Sequence, residues 1–439
     1  MTTLSPTSAL RRFLVLTALR WLPPGLIAPV ALLLALDRGL SLSEIGLAAA
    51  TQGVIVFLLE LPTGGLADAI GRRRVVLVSM VVSAVALAGF AVAHSFAAFV
   101  VVFVLMGIYR ALDSGPLEAW YVDTVHATDP EAKLQKGLSA QGTVLGLALA
   151  TGALASSGLV ALNPLPAWGS LTLPVVVALA VQLIALAVAW VLMRESHPAT
   201  GWRALARSAR ETPRTVADGV RLLRRSRVLL ALVSVELFWG FGMVAFEAFP
   251  QIRIAEITGG YDTAATINGP AFMAVAIAGA GGAALTPTLG RWIGIARLAA
   301  LMRIVQGLTV VVMALSAGLV GLIAACIACY IVHGTSNAAH TTLLHRQAEG
   351  RVRATVVSLN SWVAQPAAAL GLVVLSIVAQ RVSVTAAMLA CAVILAMAAP
   401  LYLPAWRQSR VDRETEAESG EGGGQVFGVD DVQTADRAG

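Results

Sequence analysis

A chain of 439 residues in which 57% are apolar and only 13% charged, with a mean hydropathy of +0.79, has too little charged surface to stay dissolved as a globular domain. The formal net charge of +6 does not point to nucleic acid, because the basic residues sit in loops between apolar runs instead of on one soluble face. Cys326, Cys329 and Cys391 all lie inside apolar runs, so they read as small packing residues and imply neither a disulfide nor a metal site.

Arg11 and Arg12 open the first apolar run, which continues to about Leu36 without an early small-residue cleavage site and is expected to be kept as a span. Further runs of roughly 20 residues follow, each long enough to cross about 30 Å of hydrocarbon as a helix. They lack the alternation that a β-barrel requires. The predicted spans are 12–36, 45–67, 75–95, 97–122, 137–161, 170–193, 228–252, 264–289, 297–317, 319–344, 354–379 and 383–405. The expected fold class is all-α and integral to the membrane, with twelve transmembrane helices in two pseudo-symmetric six-helix bundles. Residues 1–193 form the first bundle, 194–227 a basic linker, 228–406 the second bundle and 407–439 an acidic, Gly-rich tail expected to be disordered.

Arg and Lys near helix ends favour the cytoplasmic side of a membrane. With both termini inside, Arg11, Arg12, Arg72, Arg73, Arg74, Lys133, Lys136, Arg291, Arg297, Arg346, Arg351, Arg353 and the linker are cytoplasmic, and only Arg38, Arg253 and Arg381 fall outside. An inner-membrane protein with cytoplasmic termini is therefore expected. The linker, with Trp202 among its arginines, is expected to lie partly helical on the anionic leaflet as a tether or as a regulatory element.

The turn after span two reads Gly64, Gly65, Leu66, Ala67, Asp68, Ala69, Ile70, Gly71, Arg72, Arg73, Arg74. The turn after span eight is a degenerate second copy that aligns Leu66 with Leu289, Asp68 with Arg291 and Gly71 with Gly294, as an internal repeat would. The first turn resembles the GxLaDrxGRR signature of the major facilitator superfamily at Gly64, Leu66, Ala67, Asp68, Gly71, Arg72 and Arg73, with Ala69 in place of the usual Arg. Glu60-Leu61-Pro62-Thr63 and Arg110 to Ala119 look like a prokaryotic drug-efflux branch of that family, although span five lacks the Gly-Pro pair common in drug antiporters. The resemblance extends over about residues 10 to 405. It implies secondary transport by alternating access, with spans one, four, seven and ten lining a central cavity.

Read physically, Asp68 faces the same side of the membrane as the start of span eleven near Arg353. It either latches the cytoplasmic side shut, with Arg72 holding its geometry, or only orients the loop.

Charges inside hydrocarbon cost roughly 2.5 to 3.5 kcal/mol each on the milder insertion scale, so each needs a partner or a wet cavity. The spans hold Arg20, Arg110 and Arg303 against Glu60, Asp113, Glu118, Glu236 and Glu247. At about 1.5 Å of rise per residue, Arg20, Glu60, Asp113 and Glu236 share a layer roughly 12 to 15 Å deep. Arg110 is somewhat deeper, Glu118 nearer the cytoplasm and Glu247 nearer the outside. Arg110 and Asp113, three residues apart, share a helix face. Asp113 or Glu236 is a candidate proton carrier, the alternative being permanent ion pairs that position helices, and Glu60 is expected to partner Arg20 or Arg110.

Cavity candidates are Arg20 and Trp21 on span one, Trp239 on span seven, and the stripe Tyr330, His333, Asn337 and His340 on span ten. Aromatic rings beside carboxylates suit an amphipathic solute. The leading expectation is a monomeric, proton-coupled exporter of small drug-like molecules. A nutrient importer on the same architecture and a membrane sensor that binds without turnover are the alternatives. No GxxxxGK[ST] loop, catalytic triad or metal cluster is evident, so no enzyme activity and no cofactor are expected.

Overall fold

The computed structural model describes residues 4–64, 66–194, 217, 219–347 and 351–411. Most of the expected linker and the tail beyond residue 411 lie outside the described residues, as do the side chains of Asp68 and Arg353. Among the described residues eleven helical segments are long and apolar enough to cross a bilayer. They are Pro6–Asp37, Leu42–Glu60, Arg72–Val92, Phe96–His126, Gln135–Leu162, Leu173–Leu192, Tyr261–Ile293, Ile295–Leu315, Leu319–Arg346, Val356–Arg381 and Val384–Val411. A twelfth, Arg227–Gly242 followed by Val244–Thr258, bends by 42° and takes seventh place. Numbered one to twelve in chain order, these are the spans the hydropathy predicts.

Local chemistry sets where they start and bend. Ser95, Ser226 and Ser383 cap spans four, seven and twelve by accepting from the N–H of Ala98, Leu229 and Ala386. Span one breaks between Pro6–Ile27 and Ala31–Asp37, just beyond Pro23 and Pro24. Span four, predicted as uninterrupted, divides into Phe96–Asp113 and Pro116–His126. Gly115 takes φ +93° and Pro116 restarts the helix where its missing N–H costs nothing.

The internal repeat is visible in backbone geometry. Gly71 (φ 98°, ψ 139°) opens span three and Gly294 (φ 85°, ψ 141°) opens span nine, a conformation that side chains rarely tolerate. A second matched device lies at the other end of the same spans. Arg38 donates to the carbonyls of Phe90, Ala91 and Ala93 at 2.6 to 2.8 Å, and Arg253 donates to that of Ser316 at 3.0 Å. Each arginine thereby satisfies carbonyls that the end of span three or nine leaves open.

The two halves share a core at one end only. A single apolar cluster at the end remote from the termini joins Val30, Leu33, Phe99 and Val175 of the first half to Phe246, Ala265, Met313 and Leu395 of the second. At the end that carries the termini the cores are separate, one around Phe13, Met80 and Trp120, the other around Leu232, Leu298 and Tyr402. The molecule is therefore closed from the remote end as far as Phe57 of span two and Trp362 of span eleven, whose rings stack at 4.3 Å, and its cores part toward the terminal end. Spans five and eight make the closure dry: Ser157 Oγ donates to the Ala265 carbonyl at 2.6 Å and accepts from the Gly269 N–H at 2.9 Å, while Asn268 donates to the Pro29 carbonyl at 3.0 Å.

Within the first half, spans one and five touch backbone to backbone. A Cβ placed on Gly25 would stand 2.5 Å from the Leu149 carbonyl oxygen, whereas Gly142 on span five faces open space. Gly25→Val should therefore cost about 1–3 kcal/mol through overpacking. In thermal denaturation of the purified protein it should lower the midpoint clearly, and Gly142→Ala should leave it nearly unchanged.

Candidate functional site

Arg20 of span one meets span four where that helix breaks. Its Nε donates to Asp113 Oδ2 at 2.5 Å and its Nη2 to the Asp113 carbonyl at 2.7 Å. The break at Ser114 and Gly115 takes that carbonyl out of the helical ladder, and the guanidinium supplies the donor the helix no longer provides. Nη1 lies 3.6 Å from Glu118 Oε1, and Glu118 also accepts from Gln141 of span five. Trp21 lies against the guanidinium at 5.7 Å. Both Arg20 and Asp113 are buried, and Asp113 Oδ1 has no hydrogen-bond partner.

These contacts revise the expected pairing. Arg110 and Asp113 are not paired with each other: Asp113 turns to Arg20, and Arg110 is exposed with no ion pair among the described residues. Glu60 makes no ion pair with Arg20 or Arg110, although the charge of Arg110 reaches it. Glu118, expected nearer the surface, is drawn to Arg20 because the bend in span four turns the second segment back toward span one.

The second half holds a separate polar cluster. His340 of span ten lies 3.2 Å from Glu236 of span seven, 3.0 Å from the Tyr402 hydroxyl and 3.2 Å from Asn360 Oδ1. Arg303 of span nine, 1% exposed, stands beside this group, close to Glu236, His340 and Tyr402, and donates to Gln306 at 3.1 Å. Gln306 in turn lies 3.4 Å from His333, whose ring stacks on Trp239 at 5.9 Å. The span-ten stripe is therefore divided. His340 is sealed inside the bundle instead of lining a cavity, His333 packs among Trp239, Phe246 and Tyr330, and Asn337 is exposed. Helical spacing puts all four on one side of the helix, but neighbouring spans cover the two histidines.

Among the described residues, hollows open between the spans, and three of them bear on the site. The largest of these, about 460 Å³, is lined by Arg20, Trp21, Glu60, Tyr109, Arg110 and Asp113, all in the first half, with Gln365 reaching in from span eleven. A second, about 260 Å³, shares Ala28, Ala31 and Phe103 with it and contains Glu247; a third, about 60 Å³, contains Glu247 and Tyr330. At the signature turn, Arg72 pairs with Asp123 and donates to the Ala119 carbonyl, while Arg73 donates to the Trp190 carbonyl at 2.8 Å and covers its ring. These arginines bind the turn to spans four and six of its own half.

A model of the Major Facilitator Superfamily matches residues 13–372. The chain belongs to that superfamily. Its fold is similar to the nucleoside transporter NupG, at 12% identity and a TM-score of 0.74 over 90% of this chain and 98% of that one. It is also similar to a bacterial homologue of the human lysosomal transporter Spinster in an inward-facing, unoccupied conformation, at 16% identity and a TM-score of 0.72 over 93% and 98%. No curated protein matches the sequence. Membership of the superfamily makes the chain a multi-pass membrane transporter.

For this major facilitator transporter, sequence reasoning overlooked Asn360, Gln306 and Tyr402, which carry no charge and gave no signal. It counted Arg303 without a role, although an arginine inside span nine demands a partner and Glu236 is the acid in the second half best placed to be one. Removing one member of a buried ion pair costs about 3–5 kcal/mol, whereas an apolar pair of similar size restores most of it. Arg20→Met should accordingly lower the thermal unfolding midpoint more than the double variant Arg20→Met/Asp113→Leu, both read by intrinsic fluorescence on heating.

Proposed function

We propose that this transporter exports small amphipathic, drug-like molecules across a bacterial inner membrane in exchange for protons, as a monomer working by alternating access. The terminal end carries nearly all the loop arginines and both lysines, which makes it the cytoplasmic face and gives both termini a cytoplasmic location. The state described, divided there and closed at the remote end, then offers its interior to cytoplasmic solutes.

The observation that carries the proton step is Asp113, which stands in the wall of the largest hollow with one oxygen on Arg20 and the other unpartnered. A proton on Asp113 ends the ion pair and leaves Arg20 to Glu118, already 3.6 Å away on the other segment of span four. Proton binding is thus converted into a pull between two helical segments that meet at a glycine. Glu236 lines none of the three hollows and is held by His340, so Asp113 is the better-placed carrier. Asp68 acts as the cytoplasmic latch, with Gly64 and Gly71 allowing the tight turn and Arg72 and Arg73 fixing it to its half.

In proteoliposomes with an imposed pH gradient, Asp113→Asn should cut gradient-driven dye flux by about a hundredfold, the lower end of the range by which proton-transfer groups contribute. Dye-for-dye exchange without a gradient should persist. Equal gradient-driven fluxes in the wild type and the variant reject Asp113 as carrier. Asp68→Asn should slow both processes without altering membrane insertion, measured as protein recovered in the membrane fraction, and unchanged transport rejects the latch.

A further inference from the structure

We infer that the solute carried is an organic cation and that Glu247, on the bent seventh span, is the carboxylate that recognises its charge. This rests on the transport reading above and adds a substrate class and a residue to it.

The in-membrane charges divide unequally between two places. In the second half Arg303 stands beside Glu236, and that cluster is balanced. Around the hollows, Arg20 and Arg110 face Glu60, Asp113, Glu118 and Glu247, two acids more than bases. Arg20 is committed to Asp113 and Glu118. Glu60, Arg110 and Glu247 make no side-chain hydrogen bond or ion pair among the described residues, and the charge of Arg110 reaches both acids. In a hollow walled by apolar helices such an excess of carboxylate favours a cation from outside or protons over an anion.

Glu247 is placed to receive that cation. It ends the four-residue segment Val244–Glu247, just before the chain turns again at Ala248, and it is exposed although protein surrounds it. Its carboxylate stands between the two smaller hollows, and the 260 Å³ one shares Phe103 with the 460 Å³ hollow. The larger hollow offers the rings of Trp21, Phe90, Phe103 and Tyr109 to an apolar body. The wall of that hollow carries a further unsatisfied group: Asp113 is more than nine-tenths buried, and its Oδ1 makes no hydrogen bond although Tyr109 stands beside it. An anion would have Arg110 as its one uncommitted counter-charge, and that arginine already stands in the field of Glu60 and Glu247.

The test is equilibrium binding to the purified full-length chain, using tetraphenylphosphonium and tetraphenylborate, which share shape and hydrophobicity and differ in the sign of charge. The wild type should bind the phosphonium and discriminate against the borate. Glu247→Gln should weaken phosphonium binding about tenfold or more, Glu247→Asp should stay within about threefold of wild type, and Arg110→Gln should tighten it severalfold by removing the competing cation. Failure of the wild type to bind the phosphonium overturns the inference. So does equal binding of both ions, unchanged affinity in Glu247→Gln, or weaker binding in Arg110→Gln. Should Glu247→Gln prove unfolded in a thermal scan, the tightening expected of Arg110→Gln beside near-wild-type binding in Glu247→Asp still decides the matter. Because binding is read without turnover, charge-selective binding without gradient-driven flux would sink the transport reading alone. Intact flux with binding indifferent to Glu247 would sink this inference alone.

Discussion

Hydrocarbon does not solvate charge, and the arrangement of this molecule follows from where its in-membrane charges find partners. The first half answers with a clamp: Arg20 reaches from span one to a carboxylate and a freed carbonyl at the break in span four. The second half answers with a cluster in which His340 meets Glu236, Tyr402 and Asn360, with Arg303 beside them, away from the hollows. A clamp at the wall of a hollow is open to competition by a proton or a solute. A cluster built from five spans mainly holds those spans together, because disturbing any member strands the others.

Close packing adds a second constraint. Helices in lipid gain no hydrophobic drive toward one another, so tight contact depends on small residues that let backbones meet. Gly25 with Gly152 joins spans one and five, and Gly240 and Gly371 join spans seven and eleven, so each half is rigid on its own. Between the halves, contact runs from the remote end, around Ser157, Asn268 and Gly269, along spans two and eleven to Phe57 and Trp362. Two stiff bodies held at one end and divided at the other can rock without being rebuilt, which is the mechanical requirement for exposing one site to alternate sides.

Much of the scaffold was legible in the residue pattern because its causes are local. Span positions follow from uninterrupted apolar runs, and the repeat from Gly71 and Gly294, whose backbone geometry only glycine adopts readily. The break in span four was written in Gly115-Pro116, yet it passed as part of a helix, since a continuous apolar pattern outweighs one turn signal when a span is sought. The site was legible only as a set of ionisable groups. Asp113 shares a helix face with Arg110 by spacing and still pairs with Arg20, because the bend and the approach of span one set the distance. His340 fell on the same stripe as Tyr330 and Asn337, and only the packing of spans seven, eleven and twelve decided that it would be covered. Tertiary distances between helices carry that information, and no spacing along one helix contains it.

The two halves are alike in scaffold and unlike in chemistry, and the division falls along a physical line. Gly71 and Gly294 turn the chain the same way, and Arg38 and Arg253 close the ends of corresponding spans, because any six-helix unit in a membrane must reverse tightly and satisfy its terminal carbonyls. No such requirement fixes which charges lie inside. The cluster around His340 presents a stable wall, whereas the carboxylates to spare stand at the hollows, Glu60 from the first half and Glu247 from the bent seventh span of the second, so that each half faces the space between them with an acid.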